Sequence, residues 1–341
     1  MKHILVTGGL GYIGSHTVVA LQQEGYKVSI IDDCSNAEEN FLDRIASITQ
    51  LRPSFSKIDL KDAEAVNTFF ATEAIDGIIH FAAHKAVGES VEKPLMYYRN
   101  NLVGLINLLE AMQSHQVDHI IFSSSCTVYG QADTMPIDEQ TPLKKPESPY
   151  GKTKQMGEEI LEDFATTYQK NVICLRYFNP VGAHPTAKIG ELPKGIPNNL
   201  VPYVTQTAAG IREFLQVWGD DYPTRDGTAI RDYIDVNDLA DAHVKAIARL
   251  LRKANKTNLE VFNLGTGTGS TVLEVVHAFE KANNLKINYQ IKERRAGDIV
   301  EAYADNSLAK SELGWEPKTT LEDSLRNSWR WEQSLREENE K

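Results

Sequence analysis

Apolar residues occur along the first half of the chain in short runs separated by longer amphipathic stretches, the alternation expected of strands followed by helices. Ile4-Leu-Val6 reads as a buried strand, and Ile13 to Leu21 continues with helical spacing. Val28 to Ile31 is a second strand, and Phe55 to Ile58, Gly77 to Phe81, His119 to Ser123 and Val172 to Arg176 are further strands at intervals long enough for a helix between each. That order predicts an α/β fold, a Rossmann-type doubly wound parallel sheet. After Arg176 the pattern loosens into a Pro- and Gly-rich run through Pro202. The expected boundary is near residue 180, with a dinucleotide-binding domain over 1–180 and a smaller, loop-rich α/β substrate domain over 181–341. Val261 to Leu264 resembles a sheet strand again, so the chain is expected to return to the first domain. Leu321 to Lys341 reads as a charged terminal helix carrying Trp329 and Trp331.

Between the first strand and helix stand Gly8, Gly11 and Gly14. Glycine there lets backbone approach a pyrophosphate, and the helix N-terminus offers unpaired N–H groups to that anion. Asp32 ends the second strand about twenty residues on, where a carboxylate holds a ribose hydroxyl and repels a 2′-phosphate. With no Arg within the next several residues, NAD is preferred over NADP. Further along, Ser148-Pro-Tyr-Gly-Lys-Thr-Lys154 opens a helix, with Ser148 as N-cap and Pro149 at the first position. Tyr150 and Lys154 then share one face. An adjacent ammonium or a cationic cofactor ring favours phenolate, so the pair suits proton transfer, although the same spacing occurs between ordinary surface neighbours.

The 341 residues are 41% hydrophobic and 24% charged, which describes a globular protein with ample core. The net charge of −11 argues against nucleic acid or an anionic membrane surface as partner. No apolar segment is long enough to span a bilayer, the first residues lack a secretory pattern, and Cys34, Cys126 and Cys174 are too few and too scattered for a disulfide framework. A cytoplasmic location is expected. His80 with His84 and His115 with His119 have i,i+4 spacing but no carboxylate context, so no metal is expected. Gly265-Thr-Gly-Thr-Gly269 reads as a turn with an N-cap rather than a second phosphate cradle.

The glycine segment Thr7 to Gly14, Ser123-Ser-Ser-Cys-Thr-Val-Tyr-Gly130 and Tyr150-x-x-x-Lys154, in that order, resemble the extended short-chain dehydrogenase/reductase family. His80 to Ser90, Arg176 to Pro185, Gly195 to Leu200, Asp221 to Thr228, Arg231 to Leu239 and Arg294 to Asp298 resemble its nucleotide-sugar 4-epimerase branch, nearly end to end. The resemblance implies an isomerase of UDP-hexoses that inverts carbon 4 through a ketone with tightly held NAD, and a homodimer. It implies Tyr150 as proton acceptor, Lys154 as the residue that lowers its pKa and binds nicotinamide ribose, and Ser125 as partner of the reacting hydroxyl. Cofactor contacts implied with these are Tyr12, Ile13, Asp32, Asn36, Asp59, Leu60, Phe81, Ala82, Lys85, Asn100 and Phe178. Implied substrate contacts are Asn179, Asn199, Leu200, Trp218, Arg231, Arg295 and Asp298, the arginines suiting diphosphate. Ala302 occupies a position where a bulky Tyr confines the sugar pocket in some members, which suggests room for an acetamido group. A 4,6-dehydratase of the same family carries an Asp-Glu pair where this chain has Cys126 and Thr127, which weakens that alternative. A noncatalytic NAD-sensing protein has no need of the Ser125, Tyr150 and Lys154 set.

Overall fold

A computed structural model describes residues 1–295 and 298–339. Its centre is a seven-stranded, wholly parallel sheet. Strands β1 (His3–Thr7), β2 (Lys27–Asp32), β3 (Ser54–Lys57), β4 (Gly77–His80), β5 (His119–Ser123) and β6 (Asn171–Tyr177) match the six expected runs to within two residues at either end. The seventh strand, Leu259–Leu264, pairs with β6, so the run at Val261 does rejoin the sheet. The spatial order is β3-β2-β1-β4-β5-β6 and then Leu259–Leu264.

Side chains alternate across each strand and both faces are covered, which explains the uninterrupted apolar runs. From β1, Ile4 and Val6 enter one core with Val18 and Leu21 of the helix Tyr12–Gln23 and Ala246 and Ile247 of the helix Val236–Leu251. Leu5 faces the other way, into a core with Leu105, Leu108, Leu161 and Phe164. Doubly wound order reverses direction between β1 and β4, and the two helices that leave those strands diverge there. A crevice opens at their carboxyl ends, where such sheets bind ligands.

Apart from the helix Val236–Leu251 and the strand Leu259–Leu264, the residues after β6 build a smaller layer above that crevice. Asn179–Val181 pairs in parallel with Tyr233–Asp235, and Ile230–Arg231 lies between Ser270–Thr271 and Glu301–Ala302. Its own core gathers Val201, Val204, Val217, Phe279 and Leu325. The terminal helix runs Leu321–Asn339, and Glu340 and Lys341 lie outside the described residues. Trp331 is buried in the sheet-side core and donates to Glu191 O at 2.9 Å, so this charged helix ties the two layers together. Among the described residues no helix is long and apolar enough to cross a membrane.

Candidate active site

The residues implied as cofactor contacts collect at the carboxyl ends of adjacent strands. Gly8 to Gly14 follow β1, Asp32 ends β2, and Asp59 and Leu60 follow β3. Phe81 and Ala82 follow β4, Ser125 follows β5, and Phe178 and Asn179 follow β6. Asn36 and Lys85 sit in exposed loops of the same rim, and Asn100 accepts from Lys61 Nζ at 2.9 Å.

The glycine loop is shaped for close approach. Gly8 has φ +70°, and a Cβ on it would lie 2.7 Å from Ala82 N. A Cβ on Gly14 would lie 2.2 Å from Gly8 O, so the loop folds back on the helix only without side chains there. A Cβ on Gly11 would meet only Gly8 O, at 3.2 Å, and Gly11 caps the helix Tyr12–Gln23 without any side-chain acceptor. The first turn therefore presents bare N–H groups and the positive end of the helix dipole, which fits a pyrophosphate. Asp32 is 7% exposed and accepts from Leu10 N at 3.1 Å and Cys34 N at 2.9 Å, which locks it against the loop. Burial raises its pKa, with those two amides opposing. Among the described residues Asp32 forms no salt bridge, so a ribose hydroxyl suits it and a 2′-phosphate does not.

Ser148 caps the helix Pro149–Tyr168 by accepting from Gly151 N at 3.2 Å, with Pro149 in the first turn, as the local sequence requires. Lys154 Nζ sits 5.9 Å from the Tyr150 ring centroid and 4.9 Å from that of Phe122. It donates to Ser123 O at 2.6 Å and is 4% exposed. Burial lowers Lys154 to about 8, with Glu158 one turn on opposing the drop. The same burial drives Tyr150 up to about 12, against a hydrogen bond from Ser125. Desolvation outweighs that hydrogen bond, and a positive charge brought beside the phenol would favour phenolate.

Glu158 and Arg176 anchor this corner from below. Arg176 chelates Glu158 with contacts of 2.5 to 3.2 Å, Ser124 donates to the same carboxylate at 2.5 Å, and Arg176 reaches Tyr129 at 3.0 Å. A buried pair with its remaining hydrogen bonds satisfied fixes the geometry of the segment that carries Ser125.

On the substrate side, Arg231 and Arg295 share Asp298, at 2.6 and 3.3 Å. The Arg295 guanidinium lies 5.8 Å over the Trp218 ring. Asp232, beside Arg231, is fully buried and accepts from Thr266 N, Thr266 Oγ1, Gly267 N and Ala304 N at 2.7 to 3.2 Å. The Gly265–Gly269 loop is thus wrapped around an internal carboxylate, which occupies the place a phosphate would take. Asp235 binds Ser324, and Asp238 takes the amides of Lys318 and Thr319. Three aspartates of the Arg231-to-Leu239 segment are structural ties, and they hold Arg231 at the crevice. Asn199 caps the helix Leu200–Ala208, yet its amide donates to Glu191 at 2.7 Å, and Lys85 reaches the same oxygen at 2.9 Å. Glu191 and Glu158 were not legible as site residues, because their partners are distant in sequence. Ala302 is buried on the strand beside Arg231, against Val128, Tyr129 and Phe178.

A family model described as GDP-mannose 4,6 dehydratase matches residues 5–328. A UDP-glucose 4-epimerase of Bacillus subtilis (strain 168) is 53% identical over 332 residues, 97% of each chain. The chain belongs to the UDP-glucose 4-epimerase family. A Stenotrophomonas maltophila member of the family, solved with NAD and formylated UDP-arabinopyranose, superimposes with a TM-score of 0.96 at 46% identity over 99% of this chain and 100% of that one. A Bifidobacterium longum member, solved with NAD+ and UDP, gives 0.94 at 46% identity over 98% of each.

Proposed function

We propose that this protein interconverts UDP-galactose and UDP-glucose at hexose carbon 4, with NAD as its resident cofactor. The observation that carries the reading is the convergence of Ser125, Tyr150 and Lys154 on the crevice between an uncapped glycine cradle and the Arg231 cluster. Gly8, Gly11, Gly14 and the amides of Tyr12 and Ile13 would hold the cofactor pyrophosphate, and Asp32 with Asn36 a ribose. Asp59, Leu60, Phe81, Ala82, Lys85, Asn100 and Phe178 would line the rest of its path. When bound, the nicotinamide supplies both the positive charge that lowers the phenol and a reversible hydride acceptor for carbon 4.

Tyr150 takes the proton of the 4-hydroxyl and returns it when the alcohol re-forms. Ser125 donates to the same oxygen and steadies the 4-ketone. Lys154 would hold the nicotinamide ribose and supplies positive charge beside Tyr150. Arg231 and Arg295 exchange part of their pairing with Asp298 for the diphosphate, Asp298 takes ribose hydroxyls, and Trp218, Asn179, Asn199 and Leu200 seat the nucleotide. Holding the nucleotide firmly while few groups grip the hexose lets the ketone present either face. Dehydration needs an acid near carbon 6, and Cys126 and Thr127 stand there instead. Because Ala302 brings only a methyl to that wall, 2-acetamido sugars are also substrates in this reading.

The same reading includes a homodimer in the cytoplasm. Val87, Val91, Leu95, Val103 and Ile106 are exposed along neighbouring helical segments, from 39% to 80%, an apolar face that a second copy would remove from water. Sedimentation of the native and Leu95→Asp proteins tests the dimer, and a native monomer at micromolar concentration refutes it. The activity is tested by incubating the purified protein with UDP-galactose, without added NAD, against Tyr150→Phe as control. UDP-glucose from the native protein alone is the expected result. No product even after NAD is supplied would refute the reading.

A further inference from the structure

Ser125 lies in extended backbone, φ −157° and ψ 149°, just before the helical turn Cys126–Tyr129. Its Oγ accepts twice from one residue: Thr127 donates its backbone N–H at 3.2 Å and its hydroxyl at 3.0 Å. A serine oxygen has two lone pairs and one proton. With both lone pairs filled, the proton is left to donate outward, and the side chains that Ser125 influences there are Tyr150, whose pKa it lowers against burial, and Cys126.

The turn is clamped in this position by the helix that carries Tyr150. Gly151 lets the first helical turn close on Thr127: a Cβ there would lie 3.3 Å from Thr127 Cβ and 3.3 Å from Thr127 O. One turn on, Gln155 donates to the carbonyls of Val128 and Lys144, each at 2.7 Å.

We propose that Thr127 is a positioning residue whose hydroxyl and amide fix Ser125 so that its single proton points at Tyr150, making a donor chain Thr127 to Ser125 to Tyr150. The proposal rests on the reading of Tyr150 as proton acceptor. The chain favours phenolate over phenol, because a hydrogen bond donated to an ionised oxygen is the stronger one, and bonds in series polarise one another. Proton balance is simple: Tyr150 takes the 4-hydroxyl proton and gives it back, while Ser125 and Thr127 keep their own. The other titratable groups facing Tyr150 are Lys154 on its own helix, Cys126 on the turn, Tyr97 on the helix Pro94–Tyr98 and Tyr177 on β6, and none of them is altered by a substitution at Thr127.

The test compares Thr127→Val, which keeps the shape and the amide, with Thr127→Ser, which restores the hydroxyl. In NAD-loaded protein without substrate, phenolate formation is followed by ultraviolet difference titration with Tyr150→Phe as blank, and the pH dependence of kcat is then measured with UDP-galactose. The valine variant should titrate about one pH unit higher and lose roughly tenfold in kcat at neutral pH, with KM within about twofold and the serine variant close to native. A valine variant that titrates and turns over like the native protein overturns the proposal. So does a raised KM with kcat kept, which would make Thr127 a substrate contact. A valine-induced shift in a protein that turns over no UDP-hexose would support the donor chain while sinking the proposed reaction, so the two failures are distinct.

Discussion

Replacing Lys154 by Met should make the fold more stable while ending catalysis. Burial lowers the lysine from its ordinary 10.5 to about 8, so holding it charged at pH 7 costs the folded state about 3 kcal/mol, at about 1.4 kcal/mol per pH unit. Methionine fills similar space without charge but leaves Ser123 O without its 2.6 Å donor, a loss of about 1 kcal/mol. The net expectation is a gain of about 2 kcal/mol at pH 7, read by urea unfolding of both proteins freed of bound nucleotide. The pH dependence is the sharper check. Between about pH 8 and 10.5 the unfolded chain keeps the proton and the folded one has lost it, so native stability rises with pH. The variant lacks that rise, and its advantage should shrink by about 1.4 kcal/mol per pH unit above pH 8. A variant less stable than native at pH 7, or a difference that does not change with pH, would show that desolvation is not what governs Lys154.

Burial holds His16 and His80 at about 3 and His243 at about 4, so the unfolded chain binds protons below about pH 6.5 that the fold refuses. Stability is full above pH 6.5 and falls as the pH drops toward 4, by about 1.4 kcal/mol per pH unit for each imidazole, and His243→Leu should flatten the fall by one such share. Equal slopes for the two proteins between pH 7 and 5 would refute this. Arg231→Leu should weaken UDP binding about 10- to 100-fold by calorimetry, the worth of a charged hydrogen bond, and unchanged affinity would remove Arg231 from the site. Ala302→Tyr should cut turnover of UDP-N-acetylglucosamine at least tenfold while sparing UDP-glucose, a discrimination within reach of one pocket side chain. Full retention of acetamido turnover would show that other residues bound the pocket.

The sequence by itself determined whatever depends on neighbours along the chain. Runs such as Ile4 to Val6 and His119 to Ser123 specify buried parallel strands because both faces of the sheet are covered. Gly8, Gly11 and Gly14 specify a bare helix end, and Ser148-Pro149 sets the register that puts Tyr150 and Lys154 on one face. The return of the chain at Leu259–Leu264 was legible for the same reason, a short apolar run bounded by turn residues. Tertiary structure decided what depends on solvent exclusion and on partners far along the chain. The Gly265–Gly269 loop has the composition of a phosphate cradle, and only the fold fills it with Asp232. Glu191 joins Lys85 to Asn199 across 106 and 8 residues, with no local pattern to announce it. The ionisation of Tyr150 is the plainest case: spacing places an ammonium beside the phenol, but the depth of burial sets the sign of its shift, because desolvation sums over every surrounding group and a motif records only one.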